Sequence, residues 1–280
     1  MKQFKYSLAK RGKIICTNCG KKTAVPYIET ETGNIIDGAM RCDRELQCSY
    51  HKKPDSNETI FIPKYEIVVK ETDYIPLQTL EDFYLKDKKH DLITFLSKRF
   101  EYKNIHKAKQ DYFLSEYYNG ETIFWQIDQL ERVRGGKIMA YNPETGKRLK
   151  DSNGQSQIKW IHKQPYNLKQ CLFGLHLTKE DKKKTIAIVE SEKTAFIMSI
   201  FDPDFLWLAC GSLNGFKLEY LAPIKLRKIV AFPDKGCFEI WNETAKKLNE
   251  KGFTIEVSDA LETEIDCEIG NDIADEYLKL

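Results

Sequence analysis

Four short apolar runs near the carboxyl end, TIAIVE, FLWLAC, KIVAFPD and FTIEVSDA, are separated by stretches with helical patterning. Those stretches are SEKTAFIMSIF, LEYLAPI and CFEIWNETAKKLNEKG, the last closing at Gly252, and DIADEYL follows the fourth run. A run that is apolar at every position belongs to a strand buried on both faces, and strand-helix alternation joins such strands in parallel. Residues 171–280 are therefore expected to form an α/β domain, a parallel sheet covered by helices. Ligands of such sheets gather at the carboxyl ends of the strands. TIAIVE ends at Glu190 and KIVAFPD at Asp234, so two acids from separate strands should emerge at one edge. A carboxylate pair there suits a hard cation, Mg²⁺ with Mn²⁺ as a substitute. A third acid, Asp272 or Asp275 of GNDIAD, is expected to approach from the last loop, with Asp272 preferred.

The front of the chain has no comparable pattern. Residues 1–60 are polar and rich in turns, including Glu31, Thr32, Gly33 and Asn34, and so small a segment needs a staple to fold. The staple is CTNCGKK and RCDRELQCSYH, with Cys16 and Cys19 two residues apart, then Cys42, Cys48 and His51. A Cys-x2-Cys pair brings two thiolates to one tetrahedral Zn²⁺, and the second cluster supplies the other two ligands. Cys48 and His51 compete for the last place. Cys48 is preferred, because a thiolate needs no partner to fix a tautomer. The other four cysteines, Cys171, Cys210, Cys237 and Cys267, are scattered singly and read as core residues.

Residues 61–170 open with PKYEIVVK and continue with an apolar-faced helix, DLITFLSKRF. A second helix, IHKAKQDYFLSEYY, is expected to stop at Asn119-Gly120. Two strands, TIFWQID and KIMAYN, flank a turn placed at Gly135-Gly136. Arg132, Arg134, Lys137, Lys147, Arg148 and Lys150 lie among Trp125, Tyr141 and Trp160, a mixture of cations for phosphates and rings for bases. Charge supports that assignment: residues 1–170 carry 30 Lys+Arg against 22 Asp+Glu, and residues 171–280 carry 14 against 20. A strand-rich, basic α+β subdomain for single-stranded nucleic acid is expected here. No stretch has the length of apolar sequence that crosses a membrane, and a cytoplasmic location is the expectation.

Val189, Glu190, Ser191, Glu192, Lys193, Thr194 and Ala195 resemble the first motif of the Toprim domain of bacterial DnaG-type primases, type IA and II topoisomerases and related nucleases. The run ending at Asp234 resembles the second motif. DnaG-type primases also place a zinc-binding domain first, a basic subdomain second and Toprim third, which is the order of the three parts here. The blocks WQID, GKIMAYNPETGKR, CLFG and VESEKTA are similar to those of short primase-like proteins of mobile genetic elements. The resemblance implies primer synthesis from ribonucleoside triphosphates on single-stranded DNA. It implies Glu190 and Asp234 as catalytic metal ligands, an initiation-site role for the zinc domain, and a replicative helicase among the partners. Two rivals stand beside it, a Toprim nuclease and a non-catalytic single-stranded-DNA-binding accessory. Two positions depart from the family pattern. Ser191 replaces a glycine, and Asp234-Lys235-Gly236 lacks the second aspartate of Asp-x-Asp.

Overall fold

The computed structural model describes residues 4–44, 47–54, 59–61, 71–86, 90–152, 154–264 and 266–279. The chain separates into two compact units, Met1–Lys70 and Glu71–Leu280. The expected opening of the middle part, PKYEIVVK, lies outside the described residues.

The first unit is an antiparallel sheet of β1 (Tyr6–Leu8), β2 (Ala24–Glu29), β3 (Ile35–Cys42), β4 (Tyr50–Lys52) and β5 (Thr59–Phe61), paired in sequence order. The β2–β3 connection is the turn expected at Glu31–Asn34, where Gly33 takes φ 74° and donates its N–H to the Glu29 carbonyl at 2.8 Å. Its small core consists of Ala24 and Met40 packed around Cys16, Cys42 and Cys48. A core this small supplies little apolar burial to hold a sheet.

The second unit begins with α1 (Leu77–Leu85), α2 (Asp91–Leu96) and α3 (Tyr102–Tyr112). An antiparallel sheet follows, β6 (Ser115–Glu116), β7 (Thr122–Ile127), β8 (Val133–Met139) and β9 (Lys159–Trp160). Then come α4 (Leu177–Glu180), β10 (Ile186–Val189), α5 (Glu192–Phe201), β11 (Leu206–Ala209), α6 (Leu218–Leu221), β12 (Lys228–Ala231), α7 (Phe238–Asn249), β13 (Thr254–Val257), α8 (Ala260–Thr263) and α9 (Ile273–Leu278). Strands β10 to β13 form a parallel sheet in the order β11-β10-β12-β13. The α/β architecture expected for residues 171–280 is present.

Alternation along the strands shows why both faces are covered. Ala187 and Val189 of β10 join Trp207 and Ala209 of β11 in a core capped by α5 and α9. Ile186 and Ile188 join Leu206, Leu208, Ile229 and Ile255 in a second core, closed by Trp241, Ala245 and Leu248 of α7. The first core is also filled by Phe95, Tyr112, Phe124, Met139 and Tyr141, so residues before and after position 170 share one interior.

Two local expectations are corrected. The helix does not run to Asn119: it ends at Tyr112 and is capped by Phe113, which takes φ 53°. Tyr112 and Leu114 face one core while Phe113 and Tyr117 face another, so the aromatic run is shared between two cores across the helix end rather than lying along one helical face. Asn119-Gly120 instead turns β6 into β7. Gly135 and Gly136 are inside β8, and the turn lies at Asp128–Arg132, with Glu131 at φ 61°. They are glycines for lack of space: a Cβ on Gly136 would lie 3.0 Å from the Trp125 ring, and one on Gly135 3.2 Å from that of Trp160.

Candidate metal centres

In the first unit the Sγ atoms of Cys16, Cys19, Cys42 and Cys48 all lie within 4.8 Å of one another. Two tight turns deliver them. Cys16 and Cys19 flank a knuckle in which Gly20 donates its N–H to the Cys16 carbonyl at 2.9 Å. Cys42 closes β3, and Cys48 donates its N–H to the Arg44 carbonyl at 2.7 Å. The Cys16 and Cys48 sulfurs are 3.7 Å apart, too far for a disulfide but close to the roughly 3.8 Å edge of a tetrahedron with Zn–S bonds of about 2.3 Å. The donor set therefore fits zinc. The Lys21 N–H, with the neighbouring thiols and Arg44, outweighs burial and holds the Cys19 thiol down to about 6, whereas burial pushes Cys16 up to about 11. His51 is not part of this group. Its Nε2 lies 2.8 Å from the Tyr27 hydroxyl, and the two rings stack. Cys48 is the fourth member, as preferred.

The second candidate centre is the carboxyl edge of the parallel sheet. Glu190 follows β10 directly, and Asp234 lies just beyond β12, so the pairing of these strands brings both acids to the same edge. The Gly211 N–H donates to the Glu190 carbonyl at 2.8 Å. Burial pushes the Glu190 carboxyl up, opposed by the Leu213 N–H and by the charges of Lys137 and Arg148. Asp234 is shifted further. Burial first, then the carboxylates of Glu190, Asp272 and Asp275, push it up to about 8. Its Oδ1 is buried without a hydrogen-bond partner among the described residues. An orphaned carboxylate oxygen beside a second acid is a place for a cation, and Mg²⁺ needs only one or two carboxylates. The acids do not form a closed cage: among the described residues the four thiols are the only such group of three or more His, Cys, Asp or Glu.

Asp272 does different work from that expected. It is the N-cap of α9, with Oδ1 accepting from the N–H groups of Ala274 at 2.9 Å and Asp275 at 3.0 Å, and Oδ2 accepting from the Thr194 hydroxyl. Asp275 completes the capping box and lies 3.6 Å from the Lys193 ammonium. Ser191 takes φ −92°, a conformation open to any residue, so the backbone does not require the glycine of the motif it resembles. Gly236 is at φ 89°, where a side chain is strained, and its N–H and that of Phe238 donate to Glu262 Oε1 at 2.7 and 3.2 Å. The missing second aspartate thus coincides with a backbone that disfavours one.

The structure also relocates most of the expected nucleic-acid contacts. Arg132 and Arg134 both grip the buried carboxylate of Asp128, their Nε atoms lying 3.0 and 2.9 Å from its Oδ2. Burial alone would push the Asp128 carboxyl up, but these guanidiniums and nearby N–H groups outweigh it. Lys137 is buried, with its ammonium 3.0 Å from each carboxylate oxygen of Glu192 and 3.2 Å from the Gly211 carbonyl. Trp125 and Tyr141 are core residues, so their rings cannot stack on bases. Lys147 is exposed, and Arg148 is partly exposed on the Glu190 side. Sequence reasoning missed Asp128 and Glu192, the anions that claim these cations. The available signal was that Lys137 directly precedes the apolar IMA of a strand, where a charge needs a counterion.

A model of the family described as Domain of unknown function (DUF6371) matches residues 90–235, and one described as Zinc beta-ribbon finger matches residues 4–60. No curated protein matches the chain. Among solved structures, the chain is similar to the primase fragment of the bacteriophage T7 primase-helicase protein, at 13% identity and a TM-score of 0.45, over 98% of this chain and 95% of that one. It is similar to the RNA polymerase domain of Mycobacterium tuberculosis primase DnaG in complex with a double-stranded DNA oligomer with a 6-nucleotide overhang, at 14% identity and 0.47, over 72% and 74%. The zinc-binding and RNA polymerase domains of the Aquifex aeolicus primase are similar at 16% identity and 0.45, over 72% of this chain and 56% of that one.

Proposed function

The chain belongs to the DUF6371 family, its match spanning residues 90–235, and we propose that it is a primase-like protein that binds single-stranded DNA and joins ribonucleotides into short primers. The observation that carries this reading is the Asp234 Oδ1, buried and without a hydrogen-bond partner among the described residues, beside Glu190 at the carboxyl edge of a parallel sheet. Glu190 and Asp234 would hold Mg²⁺. When bound, that ion supplies positive charge to the triphosphate of an incoming nucleotide and to the attacking 3′-hydroxyl. The rest falls to the chain itself. The Gly211 N–H fixes the Glu190 backbone through its carbonyl, and the Leu213 N–H favours the ionised carboxylate, so the ligand is prepared before substrate arrives. Arg148 and Lys147 would offer charge to phosphates on that side, and the four thiols of the first unit would hold a structural Zn²⁺.

The motif resemblance adds a setting to this reading, replication of a mobile element in the cytoplasm with a replicative helicase as partner. A second reading, the accessory DNA-binding protein without catalysis, draws support from Gly236, whose left-handed backbone stands where a further metal-binding aspartate would be. Incubation with labelled ribonucleoside triphosphates, single-stranded DNA and Mg²⁺ or Mn²⁺ separates the two. Short labelled products from the wild type, and none from Glu190→Gln with DNA binding retained, support the primase reading. Metal-dependent nicking without primers would support the nuclease. Inactivity of both proteins in both assays would support the accessory.

A further inference from the structure

Lys137 belongs to β8 of the antiparallel sheet, yet its ammonium reaches the edge of the parallel sheet. Its three donors meet three acceptors there, the two oxygens of Glu192 at the start of α5 and the carbonyl oxygen of Gly211 after β11. Lysine and glutamate are both almost fully buried, at 8% and 1% side-chain exposure. Such a pair is costly to desolvate, and apolar residues of similar volume commonly serve stability as well or better. Stability alone therefore does not account for it.

Its position does. Gly211 takes φ 79°, and a Cβ there would lie 3.2 Å from Glu192 Oε1, so the loop passes close over the ion pair. The same loop holds Glu190. Gly211 donates to its carbonyl at 2.8 Å, and the nearby Leu213 N–H favours its ionised carboxylate. Lys137 thus holds the loop and the helix start that together hold Glu190.

We infer that Lys137, acting through Glu192 and the Gly211 loop, is a positioning residue for the metal ligand Glu190, tying the antiparallel sheet to the candidate metal edge. This rests on the proposal that Glu190 and Asp234 bind a divalent cation. The test is Mn²⁺ binding to the full chain, followed by the electron paramagnetic resonance signal of free Mn²⁺, with thermal unfolding recorded in parallel. Lys137→Met alone leaves Glu192 buried and unpaired, which destabilises the fold, so the decisive variant is Lys137→Met with Glu192→Leu, which removes both charges together. That double variant should unfold near the wild-type temperature yet bind Mn²⁺ about tenfold more weakly, the scale seen when supports of metal ligands are removed. Wild-type Mn²⁺ affinity in the folded double variant would overturn the positioning role and leave the metal site standing. A wild type that binds no Mn²⁺ would overturn the metal site and the positioning role with it. If the double variant does not fold, Lys137→Gln with Glu192→Gln, which keeps polar side chains of similar length and removes both charges together, provides the same comparison.

Discussion

His51 and Tyr27 lie in parallel planes, their rings 5.9 Å apart at 3°, with Nε2 and the hydroxyl 2.8 Å from each other. That bond occupies one imidazole nitrogen, and neither ring nitrogen joins the group of ligand atoms within 4.8 Å of one another, whose fourth member is Cys48. His51→Ala should accordingly retain one zinc per chain, whereas Cys48→Ala should lose it and unfold residues 4–60. Metal analysis with circular dichroism before and after chelation checks both.

Asp234 makes stability depend on pH. Its carboxyl sits at about 8 in the folded chain against an ordinary 3.8, so the folded state binds the extra proton. The associated stability is fully present below about 4 and is lost as pH rises through about 8. Without added Mg²⁺ or Mn²⁺, the unfolding free energy from urea titrations should fall between pH 5 and pH 7.5, by at most about 1.4 kcal/mol per pH unit for one proton. Asp234→Asn should flatten the profile, and added Mg²⁺ should raise the midpoint more at pH 7.5 than at pH 5.

The arginines and Lys147 should separate cleanly. Arg134→Ala leaves Asp128, 4% exposed at its side chain, with one guanidinium in place of two, and should cost about 3 kcal/mol, the low end for breaking a buried pair. Lys147→Ala should leave stability unchanged and reduce the log-log salt slope of single-stranded DNA binding by about 0.7, the value of one phosphate contact. Urea unfolding and binding titrations at several salt concentrations measure the two effects.

Asp272 is predicted to act on stability. Asp272→Ala removes the cap of α9 and the partner of the Thr194 hydroxyl, and should cost at least about 1 kcal/mol. Asp272→Asn keeps a capping side chain and should cost less. Near wild-type Mn²⁺ affinity in Asp272→Asn would fit the capping role; a large loss would restore it as a metal ligand.

The parallel sheet and its two edge acids were legible because buried strands leave uninterrupted apolar runs whose ends can be counted. The thiol group was legible from spacing. The antiparallel sheet was harder, since its glycines are fixed by Trp125 and Trp160 from other strands rather than by a local turn. The cations were least legible. Arg134 looks the same in sequence whether it faces solvent or Asp128, and only the tertiary fold decides which.

Strand β12 pairs with β10 only after the chain has travelled out through α5, β11 and α6 and returned. Closing so long an excursion costs chain entropy before the contact rewards it. Glu190 and Asp234 therefore have no neighbourly relationship in the unfolded chain and acquire one only when the sheet closes. A cation that needs both would bind the native state alone, so its concentration would set the folded fraction by mass action, adding about 2.7 kcal/mol at a hundred times its Kd. A chain with this topology would be sturdiest where its ion is plentiful, and starvation for that ion would threaten its lifetime as well as its chemistry.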